Sequence, residues 1–153
     1  MESTEFTYTT YIRATPEKLW QALVDADITR RYWFGVRVES DWKLGSPVRL
    51  LAPDGTLWDH GVVLAYEPCR RLSYTWITLM PDLDGEPSTR LNMELEQVGP
   101  EVRLTLTHAG FEPGSRLLDS VREGWPALLS CLKSLLETGE PLAIVDTMST
   151  GAG

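Results

Sequence analysis

The sequence predicts an α+β fold in which an antiparallel sheet of six or seven strands wraps around one long C-terminal helix, with two short helices after the first strand. Two observations carry this. From Ser115 to Gly139, Leu117, Val121, Trp125, Leu128, Leu132 and Leu135 recur at intervals of three and four, widened by Leu118, Leu129 and Leu136. That is the stripe of an amphipathic helix, roughly 35 Å long if continuous. Most of the earlier chain alternates with a period of two, which supplies the apolar surface that such a stripe needs to lie against.

Phe6, Tyr8, Thr10 and Ile12 alternate with Thr7, Thr9, Tyr11 and Arg13, giving the first strand. Thr15 stands at an N-cap, Pro16 at the first helical position and Glu17 in the first turn. Leu19, Trp20, Leu23 and Val24 form that helix's apolar side. Asp25 to Asp27 is a break and a new start, and Ile28 to Phe34 predicts a second short helix ending near Gly35. The period then returns to two. Val36 and Val38 mark a short strand, Val48, Leu50 and Ala52 the next, and Leu57 to Tyr66 another, in which Gly61 signals a bulge or a close backbone approach. Arg71 to Leu79 places Leu72, Tyr74 and Trp76 on one face, and Pro81 to Pro87 reads as an exposed hairpin loop. Leu91, Met93 and Leu95 before Gly99, with Val102, Leu104 and Leu106 after it, make the clearest hairpin. Pro126 removes a donor that would reach Arg122, so a kink or a fresh helix start is expected near Trp125. Residues 1–139 read as one domain and 140–153 as a partly flexible extension, frayed from Ser149 to Gly153.

With 22 acidic and 14 basic residues in 153, the net charge is −8, which disfavours nucleic acid and anionic membrane as partners. The chain starts without a secretion signal and has no apolar run long enough to insert in a membrane, so a cytoplasmic location is expected. Cys69 and Cys131 are too few and too far apart for a disulfide framework or zinc motif and read as reduced thiols.

Asp59 and His60 are neighbours on a strand, so they point to opposite faces and make a poor dyad. His60 shares parity with Trp58, Val62 and Leu64 and is the inward candidate, as a polar contact to a ligand or as a structural histidine. His108 shares parity with Leu104 and Leu106, and reads either as a group at a cavity rim or as part of the structure. Two histidines without a third paired ligand do not make a metal site. There is no nucleophile elbow, Ser120 and Ser130 read as helix surface, and no glycine motif cradles phosphate, so no cofactor is expected. The stronger signal is the six tryptophans: Trp20, Trp33, Trp42, Trp58, Trp76 and Trp125. They are large, rigid and apolar, with one donor each. Some fill the core, and others would line a pocket for a flat hydrophobic molecule oriented by Tyr74, His60 or His108.

Four segments resemble a known family: IRATPEKLWQALVDADITRRYWFG from Ile12, PCRRLSYTW from Pro68, LTLTHAGF from Leu104 and GWPALLSCLKSLLETG from Gly124. In this order they resemble the bacterial AHSA1-like branch of the START-like (SRPBCC) superfamily, named for the C-terminal domain of the Hsp90 ATPase activator. The resemblance implies a helix-grip fold with a cavity between sheet and helix that in relatives accepts lipids, polyketides or other apolar molecules. It implies Trp33 near the pocket mouth, Trp76 in the central sheet, His108 and Phe111 after the last strand, and Trp125 on the long helix. The expected function is binding of a small hydrophobic, aromatic or lipid-like ligand. A cyclase- or hydrolase-type enzyme using a cavity histidine and a cochaperone-like stress-response module are the alternatives. The chain has no room for the separate N-terminal domain of the full activator, which counts against a direct Hsp90 partnership; a homodimer through an edge strand is compatible with the pattern.

Overall fold

The computed structural model describes residues 4–144. Ser149 to Gly153, expected to fray, lie outside the described residues. Seven strands form one antiparallel sheet: β1 (Glu5–Ile12), β2 (Arg37–Ser40), β3 (Pro47–Leu51), β4 (Leu57–Glu67), β5 (Arg71–Thr78), β6 (Thr89–Val98) and β7 (Glu101–Ala109). Their spatial order is β1-β7-β6-β5-β4-β3-β2. Two short helices, α1 (Pro16–Val24) and α2 (Ala26–Tyr32), join the opposite edge strands β1 and β2, and α3 (Arg116–Thr138) closes the chain. This is the helix-grip architecture that the two periodicities predict.

The local chemistry explains the element ends. Thr15 accepts from the Lys18 N–H and Pro16 begins α1. Asp25 ends α1 and begins α2, its carboxylate accepting from the Asp27 N–H at 2.8 Å. Ser115 caps α3 by accepting from the Leu118 N–H, and Gly139 ends it at a φ of 92°, in the left-handed region that glycine adopts without strain. No fresh start occurs at Pro126: α3 is continuous through it, with Trp125, Leu128, Leu129 and Leu132 buried on both sides of the turn. The β5–β6 loop is exposed as expected but also does structural work. The Glu86 carboxylate accepts from the Ser115 hydroxyl and from the Leu117 N–H, and so satisfies donors left over at the start of α3.

The sheet's inner face is built from Leu72, Tyr74 and Trp76 of β5, Leu91, Met93 and Leu95 of β6, and Val102, Leu104 and Leu106 of β7, all buried. At Gly61 the backbone of β4 lies tight against β5. A Cβ there would stand 1.8 Å from the Thr75 carbonyl oxygen, and the next amide, Val62 N–H, bonds the Thr75 hydroxyl instead of a ladder carbonyl. Cys69 and Cys131 are both free thiols. No helix among the described residues is long and apolar enough to cross a membrane. The clash at Gly61 is with backbone and cannot be relieved by a rotamer change. Gly61→Ala is therefore expected to destabilise the protein by roughly 1–3 kcal/mol, read as a lower urea midpoint in equilibrium unfolding.

Candidate functional site

An open cavity of about 280 Å³ lies where the first half of α3 passes over the end of β4 and β5. The α2–β2 connection contributes Trp33, Phe34 and Val36, the sheet contributes Trp58, Asp59 and Trp76, and α3 contributes Val121, Gly124, Trp125 and Leu128 to its wall. Trp33 ends α2 with its N–H on the Thr29 carbonyl. The chain then turns through Phe34 at a φ of 51° and Gly35 at 84°. A bulky residue in the left-handed region is uncommon and carries strain, here held at a cavity wall. A Cβ on Gly124 would meet nothing within 4 Å, so this glycine leaves the helix face open. A larger surface groove of about 470 Å³ beside β2 and β3 is lined by Glu39, Ser40, Asp41, Pro47 and Arg49. It has no aromatic wall, and its Arg49 is paired with Glu39, so it is not the candidate site.

Behind the cavity the tryptophans pack on one another. Trp33 and Trp76 lie nearly parallel with centroids 6.2 Å apart, and Trp125 stands edge-on to both at 5.4 and 5.7 Å. Tyr74 stacks beyond Trp76 at 6.5 Å and is buried. These rings fill the centre of the grip, which leaves the free volume near the rim.

His108 anchors this packing. It is 0% exposed, and the Trp125 indole N–H donates to its Nδ1 at 3.1 Å. An indole can only donate, so Nδ1 is unprotonated and the ring proton sits on Nε2, 2.8 Å from the Thr89 hydroxyl. That hydroxyl donates onward to the Trp76 carbonyl at 3.2 Å. Phe111 covers the imidazole at 4.6 Å. Burial pushes the His108 pKa down to about 3, so the imidazole is neutral at any ordinary pH.

Asp59 is the group that parity at His60 concealed. On β4 the inward residues are Asp59, Gly61 and Val63, whereas Val62 and Leu64 are 40% and 44% exposed. His60 therefore faces away from the cavity, between Arg49 and Ile77 of the flanking strands, and the expectation that it points inward is corrected. Its apparent parity with Trp58 misled because the register with β3 shifts there, Leu50 pairing with Asp59 and Leu51 with Leu57, so Trp58 falls at a bulge and still lines the cavity. Asp59 itself is 7% exposed. Burial raises its pKa to about 6, against the opposing pull of the Thr78 hydroxyl and the Trp76 indole. The Trp76 Nε1–H is the indole donor that favours the ionised carboxyl; it falls short of full hydrogen-bond geometry, and the nitrogen is sealed from solvent. Of the expected site residues, Trp33, Trp58, Trp76 and Trp125 meet at the cavity; Tyr74, His108 and Phe111 lie behind it; His60 does not join them. Among the described residues no group of three metal-ligating side chains is close enough to hold an ion.

Two stability effects of opposite sign follow. For His108 the folded pKa lies below the free value of 6.5, so its contribution is complete above pH 6.5 and is lost as pH falls toward 3. His108→Ala leaves the Trp125 N–H unpaired. It is expected to cost about 2–4 kcal/mol at neutral pH and to flatten the acid side of the stability profile, both read by urea unfolding against pH. For Asp59 the folded pKa lies above the free value of 3.8, so stability is lost as pH rises through about 6. Asp59→Asn removes that cost and is expected to raise neutral-pH stability by up to roughly 3 kcal/mol, measured in the same way.

The comparisons with known proteins agree with this architecture. The crystal structure of protein MLL2253 from Mesorhizobium loti is 25% identical, with 87% of this chain and 96% of that chain aligned at a TM-score of 0.76. The Aha1 dimer from Colwellia psychrerythraea is 22% identical over 90% of this chain and 98% of that one, with a TM-score of 0.74. CalU16 from Micromonospora echinospora is 22% identical over 96% and 82%, with a TM-score of 0.73. No curated protein sequence matches the chain. The profile of the family described as Activator of Hsp90 ATPase homolog 1-like protein matches residues 13–137. With that match across most of its length, and with the helix-grip fold in place, the chain belongs to the AHSA1 family.

Proposed function

We propose that the protein binds a small, flat, largely apolar molecule in the cavity between β4, β5 and the first half of α3. The observation that carries this is the cavity itself, walled by Trp33, Trp58, Trp76 and Trp125, with the buried Asp59 as its polar group. At about 280 Å³ the space suits a one- or two-ring molecule rather than a long lipid. The alternative of a cavity histidine in catalysis has little support, because His60 faces outward and both nitrogens of His108 are engaged inside the core. Family membership favours one second reading, action on Hsp90; a change in the ATPase rate of purified Hsp90 on adding the chain would support it.

The cavity reading is tested by titrating naphthalene and indole while following tryptophan fluorescence and the indole N–H resonances. The expected result is saturable quenching with a shift at Trp76. Gly124→Leu places a side chain in the open volume without harming the helix and is expected to weaken binding by roughly tenfold or more. Unchanged affinity in that variant would overturn the assignment.

A further inference from the structure

We propose that the ligand of this cavity is an organic cation, a protonated or quaternary amine on a flat apolar frame. This rests on the reading that the cavity is a binding site and adds the charge of what it takes. The charged residues lining it are Asp59, which is buried, and Glu123, which is exposed, and among the described residues no lysine, arginine or histidine lines it.

Asp59 has only neutral company. Its neighbours on β5 are Thr78, Trp76 and Tyr74, and its partner across on β3 is Leu50. None of the ion pairs among the described residues uses Asp59 or Glu123. A carboxyl 7% exposed and without a counterion is costly to ionise. A cation entering the cavity would supply the missing charge.

The walls suit the same guest. Trp33, Phe34, Trp58, Trp76 and Trp125 bring five aromatic rings to one small volume. Aromatic faces attract cations, most strongly where water is excluded, and tryptophan is the best of them. An anion would meet two carboxylates and a single indole donor, and a neutral guest would leave Asp59 uncompensated. The net charge of −8 also favours encounter with cations over anions. Asp59 is faced by Tyr74 from β5, and Glu123 shares the cavity from α3; both are acids, so neither can act as its counterion.

The test uses two probes of matched shape, phenyltrimethylammonium and tert-butylbenzene, which differ in a charged nitrogen for a carbon. Binding to the full chain is measured by calorimetry and by the indole N–H resonances of Trp58 and Trp76. At neutral pH the cation is expected to bind roughly tenfold tighter or more. That advantage should shrink as pH falls through about 6, where Asp59 gains its proton. Asp59→Asn should abolish it while moving the neutral probe by less than about threefold. Glu123→Gln, at the exposed rim, should reduce it by a smaller factor. A neutral probe that binds as tightly as the cation, or a cation advantage that survives in Asp59→Asn, overturns the charge assignment and leaves the cavity reading intact. Failure of both probes to shift either indole resonance overturns both.

Discussion

An indole N–H carried under a helix has to find an acceptor, and the acceptor that Trp125 finds fixes how α3 sits on the sheet. The Trp125 ring stands edge-on against both Trp33 and Trp76 while its nitrogen reaches His108 Nδ1. The imidazole is in turn held by Thr89, whose hydroxyl closes the chain on the Trp76 backbone. Every donor in this run has one acceptor, so the tautomer of His108 and the orientations of the groups around it are mutually determined. The leucines of α3 supply most of the burial, but leucines tolerate a slide along a sheet. This polar chain does not. It specifies one position of the helix and so defines where the remaining free volume lies.

That free volume is displaced to one end of the grip. The centre is filled by stacked rings, and the opening stands beneath Gly124, where the helix offers no side chain. A buried carboxyl without a counterion sits against it, and ionising that group costs the empty protein stability. A buried carboxyl with a folding cost and no counterion is the expected signature of a site built for something else.

Much of this was legible in the sequence. The helix stripe, its Ser115 and Gly139 ends, the Asp25 junction between the short helices and the β6–β7 hairpin are all local patterns, and each appears where its pattern places it. The number of strands and the close approach at Gly61 were also readable. The misreading at β4 has a definite cause. Val62, Leu64 and Trp58 are apolar at one parity, whereas the inward parity holds an aspartate and a glycine, so hydrophobicity points to the wrong face. Leu57, Val63 and Ala65 share the inward parity, but the aspartate and glycine between them hide it. Which tryptophans pack together and which border empty space depends on distances between β5, α2 and α3 that no local pattern contains. The capping of α3 by Glu86, some thirty residues earlier, is invisible for the same reason.

The strand order has a consequence for how such a chain matures. β1 and β2 are close in sequence but occupy opposite edges, and β1 pairs only with β7, Glu5 opposite Ala109 and Ile12 opposite Val102. A nascent chain leaving the ribosome therefore holds its first strand without a hydrogen-bonding neighbour until the seventh has been synthesised. Completion of the sheet edge waits on nearly the whole polypeptide, and the same late segment brings the helix that covers the apolar face.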